Sequence, residues 1–333
     1  MRISGTGFRG MYQIAVGLNG ALLAVVPPTG LGVPLPPYPQ PSILAWIISD
    51  QQGMWGRLCP HCKSYFRTNH VYMNTTCPYC QKTADSLAFI TEVQRRYLEA
   101  YCIAVVNVQK RNQTVKIDLD AITDNKPEWV YSEERQQFHF QCVHCRTEVD
   151  ILGDYGWCPE CGRTNGRDLF LKGLGESEQR FEKAEKDLKE PSERAREWEM
   201  LNNDCFSRFE ALGNHIHAAL LLYPATPKRK KHIGSISFQR IFDAAEYLDL
   251  WFGIEIFLGV APVDQDFVKL MLNRRHIVVH NGGKVDQEYI DRTGDTSVRL
   301  NERVRLRSRE IRRLIPLVRS MALNLLDGYE SIS

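Results

Sequence analysis

Four Cys-x-x-Cys pairs decide the fold of the N-terminal half of this chain, and they read Cys59-Pro-His-Cys62, Cys77-Pro-Tyr-Cys80, Cys142-Val-His-Cys145 and Cys158-Pro-Glu-Cys161. Taken in order, the first two pairs are separated by 14 residues and the last two by 12. Two thiolates three residues apart fit on one tight turn, and two such turns complete a tetrahedron around Zn²⁺. The spacing therefore predicts two four-cysteine zinc ribbons, each holding one structural Zn²⁺.

Disulfide bonds are an alternative interpretation of these cysteines, and they require an oxidising compartment. The apolar run over residues 14–26 is not a convincing export signal, because Asn19-Gly20 interrupts it with a hairpin turn. A redox-active Cys-x-x-Cys pair occurs singly beside a βαβ pattern, which the sequence lacks. We therefore expect reduced thiols and a cytoplasmic location. For Cys102 and Cys205, outside the pairs, we expect buried apolar environments.

The composition is typical of a folded protein with several domains. Of the 333 residues, 43% are hydrophobic and 25% are charged, and the formal net charge is +2. No stretch approaches the roughly 20 apolar residues that a membrane span needs, so we expect no membrane partner. A net charge this small says little about other partners.

Periodicity divides the chain into three regions. We predict an N-terminal hairpin and Pro-rich linker over residues 1–50, a tandem zinc-ribbon region over 51–170, and a helical domain over 171–333. Between the ribbons, helical spacing over 85–107 and alternation over 113–119 predict a helix and a strand. The predicted fold class is multidomain α+β, with two β-rich ribbons followed by an all-α bundle.

The C-terminal half is helical in pattern. A dense mixture of Glu, Lys and Arg over residues 176–199 predicts a solvated helix, and Pro191 predicts the start of the next one. Further helices are predicted over 198–223, 237–257, 264–280 and 308–329. The basic run Lys228, Arg229, Lys230 and Lys231 is predicted to lie in a loop. Arginines at 299, 303, 305, 307 and 309 alternate with apolar residues as on a strand.

One segment carries candidate catalytic groups: Asn273-Arg274-Arg275-His276-Ile277-Val278-Val279-His280-Asn281-Gly282-Gly283. It contains an Arg-x4-His motif, formed by Arg275 and His280, just before a Gly-Gly helix stop. Such a motif also arises by chance, so its context matters. Three simpler interpretations remain open: a His280 cap on the last carbonyls, an Arg275 ion pair with Asp264, Asp266 or another acid, and a metal pair of His276 and His280.

In this context the segment resembles the HEPN superfamily of helical ribonuclease domains. The resemblance also takes in Cys205-Phe206-Ser207-Arg208-Phe209, Ser237-Phe238-Gln239, and residues 284–290 and 292–295. It covers the C-terminal part of the chain and excludes the ribbons. It implies a metal-independent endoribonuclease, without a catalytic metal, in which two protomers contribute Arg275 and His280 to a composite site and His276 assists. Many members are toxins or antiviral effectors, so an antitoxin or another regulatory partner is an implied partner too.

The chemistry of these side chains agrees with that implication. Histidine titrates near neutrality and can transfer a proton, while arginine matches phosphate oxygens with two parallel hydrogen bonds. Arg275 and His280 are about 140° apart around a helix, so they do not fully converge within one chain. A two-fold pairing of helices would bring both pairs into one cleft, which predicts a homodimer. Candidate RNA-contacting residues are Arg274, Asn281, Lys228, Arg229, Lys230, Lys231 and the alternating C-terminal arginines.

The alternative function is a non-catalytic zinc-ribbon adaptor that binds nucleic acid or protein and dimerises through its helical bundle. Four-cysteine ribbons are most often structural, but they also serve as docking modules. Several side chains near the cysteine turns are candidates for stacking on bases or contacting them: Tyr65, Phe66, Arg67, Tyr79 and Trp157.

Overall fold

The computed structural model describes residues 10–26, 34–72, 74–111 and 136–332. The chain forms two compact units, Met1–Asn165 and Gly166–Ser333. The strand predicted over 113–119 lies outside the described residues. None of the helices in this described part is both long and apolar enough to cross a membrane.

The first unit opens with a three-stranded antiparallel sheet. Its strands are β1 (Met11–Gly17), β2 (Leu22–Val26) and β3 (Ser42–Ile48), in the order β2-β1-β3. The hairpin predicted at Asn19-Gly20 is confirmed, since β1 and β2 pair across it. The linker predicted up to residue 50 is wrong in its last part. There β3 pairs with β1 along its whole length because its alternating apolar side chains continue the sheet.

Helix α1 (Glu92–Arg111) packs against this sheet. Tyr97, Leu98 and Cys102 of the helix are buried against β1 and β3, so the apolar environment expected for Cys102 is confirmed. The helix starts later than predicted. A short strand, described below, and a 3₁₀ turn (Ser86–Phe89) occupy the preceding residues. Asp85 caps that turn by accepting a hydrogen bond of 2.8 Å from the Leu87 amide.

The ribbon part of the first unit contains a four-stranded antiparallel sheet. Strands β4 (Trp55–Leu58), β5 (Tyr65–Thr68), β8 (Phe138–Gln141) and β9 (Glu148–Ile151) follow the order β4-β5-β9-β8. A second sheet pairs β6 (Asn74–Thr76) with β7 (Thr83–Asp85). The two ribbons therefore share one continuous sheet, joined where β5 pairs with β9.

The second unit is helical. Its helices are α2 (Gly166–Asp187), α3 (Pro191–Leu220), α4 (Pro227–Gly234), α5 (Ile241–Phe252), α6 (Pro262–His280), α7 (Gln287–Thr293) and α8 (Ser308–Ile332). Pro191 begins α3, as predicted, because its missing amide costs nothing in a first turn. The loop predicted around Lys228 is wrong. Those residues form α4, which Thr226 caps by accepting a bond of 3.3 Å from the Arg229 amide.

Helix α3 is central to the second unit and packs against α2, α6 and α8. Its apolar stripe includes Leu201, Cys205 and Phe209, all fully buried, which confirms the expectation for Cys205. The segment before α8 is not a strand. Val304 and Leu306 are nevertheless buried while Arg303, Arg305 and Arg307 are exposed, so the predicted alternation of faces holds in an irregular segment.

Candidate functional site

Two four-cysteine clusters have the geometry of metal centres. Within each cluster all four sulfurs lie within 4.8 Å of one another, with the sets Cys59, Cys62, Cys77, Cys80 and Cys142, Cys145, Cys158, Cys161. Neighbouring sulfurs are 3.7 Å apart in the first cluster and 3.4 and 3.6 Å apart in the second. A tetrahedral ion with metal–sulfur bonds of about 2.3 Å needs edges of about 3.8 Å. Both clusters therefore fit a tetrahedral thiophilic cation.

Backbone turns position these thiols. Each cysteine pair closes a tight turn whose residue after the second cysteine has positive φ, and these residues are Lys63, Gln81, Arg146 and Gly162. In each turn that residue's amide donates to the carbonyl of the first cysteine, at 2.9–3.1 Å. Burial raises the pKa of the Cys77 and Cys158 thiols above the ordinary value. Their thiolates consequently need a cation beside them.

The side chains proposed to stack on bases are mostly buried. Phe66 and Trp157 are 0% and 3% exposed, and they pack within the ribbon unit. Arg67 is buried between Asp50 and Asp150, to which it donates charge-assisted hydrogen bonds. Tyr79 uses its hydroxyl to donate 2.9 Å to the Tyr65 carbonyl. The stacking hypothesis is therefore wrong for Phe66, Arg67 and Trp157, because the apolar core and the ion pairs of this small unit need them.

The second candidate site lies where α6 ends. Gly282 and Gly283 both have positive φ, 58° and 78°, which residues with a Cβ adopt at a cost. The amides of Asn281 and Gly283 each donate 2.9 Å to the Ile277 carbonyl and so satisfy the end of the helix. The predicted Gly-Gly stop is confirmed. It places His280 in the last helical turn.

Arg275 is held by three polar residues of α3. Its guanidinium donates a hydrogen bond of 2.9 Å to the Asn203 amide oxygen and one of 3.1 Å to the Ser207 hydroxyl. It also forms an ion pair of 3.5 Å with Glu210. The alternative partner Asp264 pairs with Arg313 at 2.7 Å instead. Arg275 is thus fixed from one side while its side chain remains 20% exposed.

His276 and His280 are exposed one turn apart, with ring centroids separated by 4.7 Å. Among the described residues, His280 makes no side-chain hydrogen bond to a carbonyl, and Asn281 is the capping residue. The hypothesis that His280 serves as a helix cap is therefore wrong. In the same part of the chain, the groupings of three or more metal-ligating side chains are the two cysteine clusters, and the histidine pair belongs to neither.

A cavity of about 600 Å³ brings these groups together. Arg275, His276 and His280 line it, and its floor includes apolar side chains of α5 and α6. Other charged residues at its wall are Arg240, Lys269, Arg292, Glu210 and Asp243. Permanent cations outnumber carboxylates there, so the cavity suits an anionic group.

Arg274, unlike its neighbour Arg275, does not line the cavity. It is 3% exposed and forms ion pairs of 2.7 Å with Asp295 and 2.8 Å with Glu310. It also donates 2.9 Å to the Ser297 hydroxyl. Although burial acts in the opposite direction, hydrogen bonds from Ser297, Tyr289 and Arg274 lower the pKa of Asp295 to about 2. The prediction that Arg274 contacts substrate is wrong, because this buried network consumes its donors.

The other residues predicted to contact RNA lie away from the cavity wall. The Asn281 amide donates to the Lys284 carbonyl and to Asp286, at 2.9 and 3.2 Å. Arg229 lies over the rings of Trp251 and Phe252, at 5.4 and 5.2 Å. Lys228, Lys230 and Lys231 are exposed on α4. None of these residues lines the cavity.

Sequence reasoning missed the partners that hold Arg275. Asn203, Ser207 and Glu210 are spaced by four and three residues, so they form a polar stripe on α3. That spacing was visible in the sequence, although nothing in it indicated which helix the stripe would face. Arg240 at the start of α5 was missed as well, since its approach to the cavity depends on tertiary packing.

Comparison of the chain with protein-family models, with curated proteins and with solved structures finds no match. The chemistry of the site must therefore be inferred from its own residues.

Proposed function

We propose that the helical unit is a metal-independent endoribonuclease of the HEPN type. The observation that carries the proposal is the cavity at the end of α6, where a fixed arginine and two exposed histidines meet in a cationic wall. Cleavage of an RNA phosphodiester by its own 2′-hydroxyl without metal needs a base, an acid and a cation. This set of side chains can supply all three.

The reaction begins when the ribose 2′-oxygen attacks the adjacent phosphorus. A neutral histidine removes the 2′-hydroxyl proton, and Arg275 stabilises the negative charge that develops on the phosphoryl oxygens. A protonated histidine then donates its proton to the departing 5′-oxygen. The products are a 2′,3′-cyclic phosphate and a 5′-hydroxyl, and His276 and His280 are the candidate proton carriers.

We propose that the active form is a homodimer. Although Arg275 and His280 project from α6 about 140° apart, they line one cavity of a single chain, so the dimer would add the equivalent residues of a second α6 to a site that each chain already begins to form. Val279, between the histidines, is 54% exposed, and Val263 at the other end of α6 is 66% exposed. Contact between two such helices would cover apolar surface that is now open to water.

For the ribbon unit we propose two structural Zn²⁺ ions in a protein of a reducing, cytoplasmic environment. Free thiols at tetrahedral spacing support zinc over disulfides. The ribbons would then recruit RNA or regulate the nuclease, and a toxin or antiviral effector of this kind would have an antitoxin or another regulatory partner.

The second candidate function is a non-catalytic adaptor. It is favoured by one observation, the exposed basic residues beside both cysteine clusters, which suit docking without chemistry. In that case the cavity would bind an anionic partner and leave it unchanged.

The test is an RNA cleavage assay with purified full-length protein, with and without EDTA over short times. We expect cyclic-phosphate products, unchanged rates in EDTA, and resistance of a 2′-deoxy substrate. Arg275→Ala and His280→Ala should each lower the rate at least ~10²-fold. Arg196→Ala, at an exposed arginine of α3 that does not line the cavity, is the matched control.

Two outcomes would favour the adaptor instead. One is an RNA substrate that stays intact with the unsubstituted protein. The other is cleavage that persists at full rate in both Arg275→Ala and His280→Ala, which would trace it to a contaminant. A monomer in light scattering at micromolar concentration would remove the composite-site part of the proposal.

A further inference from the structure

The two ribbons are an internal repeat. Strands β4 and β5 recur as β8 and β9 with a constant offset of 83 residues, since Trp55–Leu58 corresponds to Phe138–Gln141 and Tyr65–Thr68 to Glu148–Ile151. The second cysteine turns recur with an offset of 81 residues. Thr76 and Thr83 pair across the first of these turns, as Trp157 and Thr164 do across the second.

A local two-fold axis relates the two copies. Arg67 and Asp150 each lie five residues after the second cysteine of their ribbon, and they are paired directly opposite one another in the shared sheet. The contacts beside them are reciprocal. The Thr76 amide donates a hydrogen bond of 2.8 Å to the Pro159 carbonyl, and the equivalent Trp157 amide donates one of 3.1 Å to the Pro78 carbonyl. Such exchange of equivalent contacts is the mark of a two-fold interface.

The repeat also shows which side chains the two ribbons have in common. Apart from the cysteines and small turn residues, the common charged or titratable positions are basic. They are His61 and His144, Lys63 and Arg146, and Lys82 and Arg163. Other charged positions differ between the copies, including Arg67 against Asp150 and Tyr79 against Glu160. We call His61, Lys63 and Lys82 rim 1, and His144, Arg146 and Arg163 rim 2.

All six rim residues are exposed. Among the described residues, no carboxylate forms an ion pair with Lys63, Lys82, Arg146 or Arg163, and Arg163 donates 3.0 Å to His144 of its own rim. Each ribbon has its first cysteine turn between its two strands of the shared sheet, β4 and β5 in one ribbon and β8 and β9 in the other. Because β5 and β9 are antiparallel, these two turns lie at opposite ends of the sheet. The unit thus presents two equivalent cationic rims, one on each side of a dyad.

We propose that this pair of rims is a binding surface for the phosphate backbones of a nucleic-acid duplex. The two backbones of a duplex are themselves related by dyads perpendicular to its axis, and two-fold proteins match that symmetry with equivalent contacts. Permanent cations on each rim would contact phosphates of opposite strands. A single strand lacks the dyad, so it can engage both rims only in unrelated geometries. This inference is independent of the proposed ribonuclease activity.

The test measures binding rather than cleavage. Full-length protein carrying His280→Ala, which limits any loss of probe, is titrated by fluorescence anisotropy against a 20-base-pair RNA duplex, a DNA duplex of the same sequence and one isolated strand. The rim 1 variant is Lys63→Asn with Lys82→Gln, and the rim 2 variant is Arg146→Asn with Arg163→Gln. Asn is chosen because it tolerates the positive φ at 63 and 146. Lys172→Gln with Lys183→Gln, on the exposed face of α2, is the control of equal charge.

We expect either rim variant to bind the duplex about 10-fold more weakly than the parent protein. The slope of log K against the logarithm of salt concentration should become shallower by roughly 2 for each variant. The control should match the parent protein, and both rim variants should keep two equivalents of metal. The RNA and DNA arms identify which duplex is preferred. The proposal is overturned if the single strand binds as tightly as both duplexes, or if the rim variants bind normally. It is also overturned if they lose metal together with binding, because the cations would then serve to neutralise the thiolates.

Discussion

The two units of this chain each bury an arginine between two carboxylates, yet they are held together differently. In the ribbon part of the first unit Arg67 lies between Asp50 and Asp150, beside an apolar cluster that includes Cys59 and Cys77, and a separate apolar cluster joins the three-stranded sheet to α1. In the helical unit Arg274 lies between Asp295 and Glu310, under long helices with extensive apolar stripes. The ribbon part of the first unit should therefore depend on metal for its stability. The helical unit should depend on packing and on its buried ion network.

Metal removal should give the largest contrast between the units. A strong thiol-compatible chelator under reducing conditions should unfold the ribbons, because structural zinc contributes about 10–16 kcal/mol in small domains. The helical unit should keep its structure. Limited proteolysis checks this, with a protected fragment beginning near Gly166 as the expected result. Equal digestion of both units, or of neither, would contradict the contrast.

Substitution of Arg274 should be the next largest effect. Arg274→Met leaves Asp295 and Glu310 buried without a counter-ion, so we expect the free energy of unfolding of the helical unit to fall by about 3–5 kcal/mol. Arg305→Met, at an exposed position, should change it by less than about 0.5 kcal/mol. Urea denaturation followed by circular dichroism measures both variants. A loss for Arg274→Met no larger than for the control would show that the network is dispensable.

Acid should weaken the helical unit through Asp295. Its pKa is lowered to about 2 in the folded protein, so its contribution is complete above the ordinary carboxyl pKa near 4. That contribution, about 2 kcal/mol, is lost as the pH falls from 4 to 2. Denaturation of the parent protein and of Asp295→Asn between these pH values checks the sign. The variant should start less stable and show the flatter profile, and parallel profiles would assign the acid sensitivity to other carboxyls.

Of these changes, substitution of Glu210 should have the smallest effect on stability. Its main effect should be on the rate of RNA cleavage. Glu210→Gln removes the charge that faces Arg275 at 3.5 Å, while Asn203 and Ser207 continue to hold the guanidinium. We expect cleavage to fall about 10-fold through kcat, equivalent to about 1.4 kcal/mol, with little change in melting temperature. Glu178→Gln, at a carboxylate paired with Arg319 away from the cavity, is the matched control. Unchanged cleavage would leave Glu210 without a positioning role.

Features that depend on residues close together in the sequence were predicted, and features that depend on contacts between distant segments were not. The cysteine clusters and the end of α6 depend on spacing within a few residues and on Gly282 and Gly283, so the pattern was sufficient. The shared sheet depends on β5 meeting β9, which are about 80 residues apart in the chain. No periodicity encodes that pairing.

Arg274 and Arg275 show the same limit at one helix. Val268 and Met271 are buried, and Arg275 lies seven and four residues after them, while Arg274 lies three residues from both Met271 and Ile277, so each arginine has a same-face spacing to buried apolar residues. Helical phase alone therefore does not separate the two arginines. Their partners could not be predicted, because Asp295, Glu310 and Asn203 come from segments whose approach is decided by packing.

The Arg67–Asp150 pair on the ribbon axis also governs which copies can join. A ribbon like the first, paired with its own duplicate about the same axis, would bury two guanidinium groups against each other. A ribbon like the second would bury two carboxylates. Only the mixed pair is electrostatically complementary, and like charges in such a position cost several kcal/mol. If neighbouring molecules exchanged ribbons, the first ribbon of one molecule would therefore pair with the second ribbon of another.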